Sequence, residues 1–172
     1  MGRVFTGAVL CVAMFVTTGC GTVVKRTVGE VKGAGSDATS VPGSGGENYG
    51  RFHSVEIQPT VTEGGGLVPA EFRSMLTTAL RKELTQGKEP VFSGGSPAIT
   101  IEPHVMWFNK SNPLMPNKYV VVLYYIRGDG SELGKVQVVT KSEATGTGVE
   151  DLAESSAKEM ARYFRKHGRG KA

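Results

Sequence analysis

From position 51 onward the apolar residues recur with two periods. Val55 and Ile57 alternate with polar neighbours, the two-residue period of a half-buried strand, and Pro59 ends it. Gly64, Gly65 and Gly66 read as a loop. The period then changes. Phe72, Met75, Leu76, Ala79, Leu80 and Leu84 are three and four apart, which predicts an amphipathic helix over 69–87. Pro69 suits its first turn, Glu71 the positive end of its dipole and Gly87 a C-terminal cap. Ile99, Ile101, Val105 and Trp107 share one phase of a strand over 98–108. Pro103 within it predicts an edge position or a bulge. A loop over 111–117 follows. The run over 118–126 is rich in Tyr, Val and Ile and apolar on both faces, as a central strand is. Turn residues over 127–131 join it to a strand over 133–140, making a hairpin. The last apolar stripe is Leu152, Ala153, Ala157, Met160, Ala161 and Phe164, a helix over 149–166. Its acids Glu150 and Asp151 come first and its bases Arg162, Arg165 and Lys166 last, as the helix dipole favours.

The predicted order is therefore β-α-β-β-β-α. It specifies an α+β two-layer sandwich: a mostly antiparallel four-stranded sheet with two helices on one face. The domain covers 51–167, and a short tail over 168–172 is expected to fray. Residues 20–50 read differently. Small, polar and glycine-rich stretches such as Gly33 to Ser40 and Pro42 to Gly46 offer little to bury, so this segment is expected to be a flexible tether.

The N-terminus carries the most specific signal. Arg3 precedes an uncharged segment of about 16 residues, short of the ~20 that a spanning helix needs. Small residues, Thr18 and Gly19, lead directly to Cys20. The layout is a secretory signal over 1–19. The run Val16-Thr17-Thr18-Gly19-Cys20 resembles the bacterial lipobox, with Thr17 where leucine is usual. The resemblance implies cleavage before Cys20 and lipidation of that residue. An ordinary signal peptide with an incidental cysteine is the competing reading. The chain has two cysteines, and Cys11 would leave with the signal. Lipidation would remove the only thiol of the mature protein from an oxidising compartment. Gly21 and Thr22 follow Cys20 without the aspartate that resembles an inner-membrane retention signal, which favours the outer membrane.

Length and charge add bounds. The 172 residues leave about 150 after cleavage, enough for one core. The net charge of +4 comes from acids and bases that are interspersed except at the C-terminal tail, not the basic patch of a nucleic-acid protein.

Candidate chemistry is sparse. Gly146-Thr147-Gly148 before a helix could cradle an anion, but position 151 is Asp and Glu150 stands beside it, so a plain lead-in to the helix is preferred. His53, His104 and His167 have no metal-ligand spacing. No serine sits in a nucleophile elbow. Glu56, Glu102 and Glu143 are available as acids, but their spacing does not pair them. No catalytic residue, metal site or cofactor is assigned. Arg162, Arg165, Lys166, His167, Arg169 and Lys171 could meet anionic lipid or peptidoglycan, or simply form a solvated helix end that complements the dipole. Trp107 and the apolar loop tip Leu114-Met115 are the candidate partner contacts. The loop alternatively folds back over the core.

A lipobox, a glycine-rich spacer and this element order resemble an uncharacterised bacterial lipoprotein family of the domain-of-unknown-function 4410 type. The resembling elements are Phe72 to Leu84, Tyr119 to Ile126 with the Gly128-Asp129-Gly130 turn, and Gly146-Thr147-Gly148 before the last helix. The order is also similar to small periplasmic adaptor domains, such as the lipopolysaccharide-assembly lipoprotein and the N-terminal domain of the TolB protein. The expectation is a lipid-anchored, periplasm-facing, non-enzymatic binding or assembly module with an envelope protein partner. The alternatives are a lipid-binding domain that uses the uncovered sheet face and a small envelope hydrolase.

Overall fold

The computed structural model describes residues 33–43, 49–64, 68–110, 118–142 and 146–168. The signal segment, Cys20, Leu114 and Met115 lie outside them. The elements are β1 (Ala34–Ser40), a 3-10 turn (Tyr49–Arg51), β2 (Ser54–Ile57), β3 (Val61–Thr62), α1 (Ala70–Arg81), β4 (Ala98–Asn109), β5 (Tyr119–Gly128), β6 (Ser131–Ser142) and α2 (Val149–Gly168). A wider π turn, Lys82–Gln86, continues α1.

The class is the predicted one, an α+β fold of two helices and a mostly antiparallel sheet. The sheet has six strands, not four, in the order β1-β6-β5-β4-β2, with β3 also on β4. The two additional strands have separate causes. β1 falls inside the segment expected to be a flexible tether, and it pairs antiparallel with β6 from Ala34↔Ser142 to Ser40↔Val136. None of its side chains is fully buried. Its ladder, a set of hydroxyl bonds and the partial burial of Ala34 and Ala38 against the core hold it. Ser36 Oγ lies 2.7 Å from Thr140 Oγ1 and 2.8 Å from Ser155 Oγ, and Ser40 Oγ lies 2.6 Å from the Tyr163 hydroxyl. β3 is two residues that resume parallel pairing to β4 after the break at Pro59.

One face of the sheet forms the core. Ile99, Ile101, Val105, Val120, Val122, Tyr124, Ile126, Val136 and Val138 point into it and are buried beneath Phe72, Leu76 and Leu80 of α1 and Leu152, Met160 and Phe164 of α2. Removing this much apolar surface from water, at about 25 cal/mol per Å², is the main stabilising term. Within the core the Tyr124 hydroxyl bonds Ser156 Oγ at 2.8 Å. Burial pushes this phenol well above its usual range, and the Ser156 bond offsets that in part.

Local chemistry fixes the element ends. The β5–β6 hairpin turns on Asp129 and Gly130, both at positive φ (53° and 76°), as a two-residue turn with the right twist requires. Pro69 precedes the first residue of α1 and does not occupy its first turn. Gly87 is extended (φ −63°, ψ 170°) and is not the left-handed cap expected of it. The π turn ends the helix instead, and the Leu84 carbonyl accepts the N–H groups of Val91 and Phe92, each at 3.0 Å. At α2 the Asp151 carboxylate accepts the Gly148 N–H at 2.7 Å, half of a capping box. The Thr147 hydroxyl donates to the Gly33 carbonyl at 2.6 Å. The Gly146-Thr147-Gly148 segment is thus a lead-in to the helix occupied by the chain's own groups.

Pro103 lies neither on an edge nor at a bulge. Along a strand the backbone amides face alternate neighbours. The carbonyls of Ile101 and Val105 accept the N–H groups of Gln58 and Glu63, so Pro103 turns to the same side, opposite the break between β2 and β3. Its missing N–H therefore removes no ladder bond.

Candidate functional site

The second face of the sheet carries no helix among the described residues. Its rows follow from register. Trp107, Val121, Val139 and Asp37 form one row across β4, β5, β6 and β1. His104, Leu123, Gln137 and Thr39 form the next, then Glu102, Tyr125 and Lys135, then Thr100, Arg127 and Glu132.

A bulge decides what this face displays. Val105 pairs with Val122, and the next pair is Trp107 with Val121, so Met106 is the extra residue. Without it, alternation would send Trp107 inward in phase with Ile99, Ile101 and Val105, as the sequence phase predicts. With it, Met106 and Trp107 are both exposed (38% and 56%), and Phe108 turns into the core instead. There Phe108 meets the Phe72 ring edge-on at 5.3 Å. Val61 of β3 is paired with His104 on the same face and is 44% exposed. These three are the large apolar side chains that the described surface exposes.

The rows of this face differ in polarity. The end row is Asn109, Tyr119 and Lys141, and inside it lies an apolar group of Met106, Trp107, Val121 and Val139. In the middle, His104 Nδ1 lies 2.6 Å from Glu63 Oε1 and its ring meets Tyr125 at 4.7 Å. At the polar end Lys135 Nζ sits 5.1 Å over the Tyr125 ring, Glu132 lies 3.2 Å from Lys135, and Arg127 pairs with Glu102 at 3.4 Å. Paired charges here leave a surface of near-neutral balance, suited to packing with few free ions.

The other sequence candidates do not converge on one site. Glu56 accepts a bond from Gln58 at 2.8 Å, Glu102 is held by Arg127, and Glu143 lies outside the described residues. His167 stacks on Tyr163 at 4.3 Å, away from His104. No group of three or more His, Cys, Asp or Glu side chains is placed to hold a metal among the described residues. In the C-terminal basic group, Arg162 bonds Glu159 at 2.7 Å and Arg165 bonds the Glu89 carbonyl at 2.9 Å. The Glu159 carboxylate raises the Arg162 guanidinium above its ordinary value. The hydrogen bond from Lys158 lowers the Glu154 carboxyl. Both shifts belong to α2 and its surface pairs, not to the open face. No described helix is long and apolar enough to cross a membrane.

Trp107 was visible in the sequence as a candidate. Its neighbours were not: Val61 reaches this face by a parallel pairing 43 positions distant (104 minus 61), which no local pattern reports.

No family model matches the chain, and no curated protein matches it. Among solved structures it is similar to two dodecamers of PelC from Paraburkholderia phytofirmans, one a point variant in space group C2 and the other in space group P6. Each shares 13% identity at a TM-score of 0.47, over 74% of this chain and 95% of the other.

Proposed function

We propose that this chain is a lipid-anchored, non-enzymatic binding module of the bacterial cell envelope, held through Cys20, facing the periplasm and docking a protein partner on its open sheet face. The observation that carries the reading is the bulge at Met106, which spends a regular register to turn a tryptophan outward. Bulges re-aim side chains at functional sites, and exposed tryptophans anchor protein interfaces. The paired charges at the other end of the face supply a polar rim of the kind such interfaces have. The outer membrane is the proposed location, from Gly21 and Thr22 after the lipidated cysteine.

A second reading has its own observation. β1 runs from Gly33 at the end of the sheet that holds Asn109, Tyr119 and Lys141, beside the Trp107 row. Gly33 lies only 13 positions after Cys20 (33 minus 20). Thirteen positions reach no more than about 45 Å even at full extension. The Trp107 end of the face would then sit near the lipid surface, and Trp107 would contact lipid rather than protein.

Membrane fractionation and intact mass test the anchor. Cys20→Ser should lose the added lipid mass and leave the detergent-extracted membrane fraction. Unchanged mass and unchanged partitioning would overturn the lipoprotein reading.

A further inference from the structure

We propose that the free edge of β2, walled by Arg73 and Arg81 of α1, binds an extended acidic peptide segment as an added strand. This site is distinct from the open face, because its walls stand on the helix side of the sheet, and it does not depend on Cys20. Three observations meet here.

The first is an unfinished edge. β2 pairs with β4 alone. The N–H groups of Ser54 and Gln58 point to β4, to the carbonyls of Pro97 and Ile101. By alternation Val55 and Ile57 turn their N–H and C=O groups outward. Neither has a backbone partner on that side among the described residues. The outward line has already begun, since the Gly94 N–H donates to the His53 carbonyl at 2.8 Å. An incoming strand would continue where Gly94 leaves off. Main-chain bonds of this kind supply affinity in strand addition.

The second is space. An open groove of about 470 Å³ lies between α1 and the C-terminal end of this edge, lined by Ile57, the last residue of β2, by Pro59 and Thr60 beyond it, and by Arg73, Thr77 and Arg81. The third is charge. Arg73, Thr77 and Arg81 lie four residues apart on one face of α1, which puts the two guanidinium groups' helix positions about 12 Å apart. Neither arginine makes an ion pair among the described residues. Side chains four apart on one side of an extended strand are about 13 Å apart. Two carboxylates at that spacing would meet both arginines, each able to bond a carboxylate through two N–H groups. The Thr77 hydroxyl is already committed to Thr60 and to the Arg73 carbonyl, so the arginines are the recognising groups.

The test uses the full mature chain in detergent and a labelled peptide, TDVTVDT, with acids four apart. Fluorescence anisotropy should detect binding. Arg73→Glu with Arg81→Glu should weaken it at least ~10-fold, as loss of two charge-assisted contacts implies, while Arg73→Lys with Arg81→Lys keeps a larger share. The charge-reversed variant should instead take TKVTVKT. Both arginines are exposed, so thermal melts should confirm that the variants fold. In amide-resolved NMR the Val55 and Ile57 N–H signals should shift and exchange more slowly with TDVTVDT bound. The proposal is overturned by binding that ignores charge reversal, by unchanged Val55 and Ile57 amides, or by dextran sulfate competing fully while those amides stay still. The last would mark a diffuse polyanion surface.

Discussion

Trp107 and Phe108 are chain neighbours, yet one faces solvent and the other the core. The bulge at Met106 makes the difference, because it moves Trp107 opposite Val121 and not into the row of Val105. Their substitutions should behave oppositely. Trp107→Ser should leave stability within ~0.5 kcal/mol, as for an exposed position. Phe108→Ala should cost about 3–5 kcal/mol through a cavity against Phe72. Urea melts of both variants check this. Equal losses would mean that Trp107 is packed.

Gly128 is the close-approach glycine of the hairpin. A β carbon there would lie 2.7 Å from Phe52 Cζ and 2.8 Å from Leu133 Cδ1, and both neighbours are buried. Gly128→Ala should therefore cost about 1–3 kcal/mol by overpacking. Adding Phe52→Leu should return part of that loss, and a purely additive double variant would contradict the contact.

β1 gives a third expectation. A variant beginning at Asn48 should lose the seven-residue ladder to β6 and the Ser36–Thr140–Ser155 hydroxyl cluster. At about 1 kcal/mol net per hydrogen bond, less the entropy no longer needed to order the strand, the expected loss is ~2 kcal/mol or more. A thermal melt should fall by several degrees. An unchanged melt would mean that β1 contributes nothing.

What was legible in the sequence follows from where apolar residues lie. The two helices and the hairpin carry their stripes and turn residues in plain view, from Phe72 to Leu84, from Leu152 to Phe164 and at Asp129-Gly130. β1 was not legible, because Ala-Gly-Ser-Asp-Ala-Thr-Ser has the composition of a linker and its pairing rests mainly on backbone and hydroxyl bonds, with only the small side chains of Ala34 and Ala38 against the core. The bulge was hidden for a related reason: Val105-Met106-Trp107-Phe108 is apolar throughout, so no polar residue marks the change of phase. Trp107 could be singled out from the sequence, whereas the open face it belongs to required the register of four strands.

The buried Tyr124 sets an alkaline limit. Its folded value is raised above the unfolded phenol near 10. Such a group contributes stability that is complete below the unfolded value and is lost as pH rises above it. Stability should therefore fall above about pH 10, and Tyr124→Phe should flatten that part of the curve while costing about 1 kcal/mol at neutral pH through the lost Ser156 bond. Chemical denaturation from pH 7 to 11 reads both effects. An equally steep fall in Tyr124→Phe would assign the alkaline loss to other groups.

In the proposed function the open face, anchored near a membrane, docks a protein through Trp107. Site-specific photo-crosslinking in cells tests it most directly, with a benzophenone side chain in place of Trp107 and, separately, of Arg162 on the helix layer. A discrete protein adduct is expected from position 107, with none at that mass from position 162 and with its loss in the Cys20→Ser background. No protein adduct from position 107, or lipid adducts alone, would contradict it.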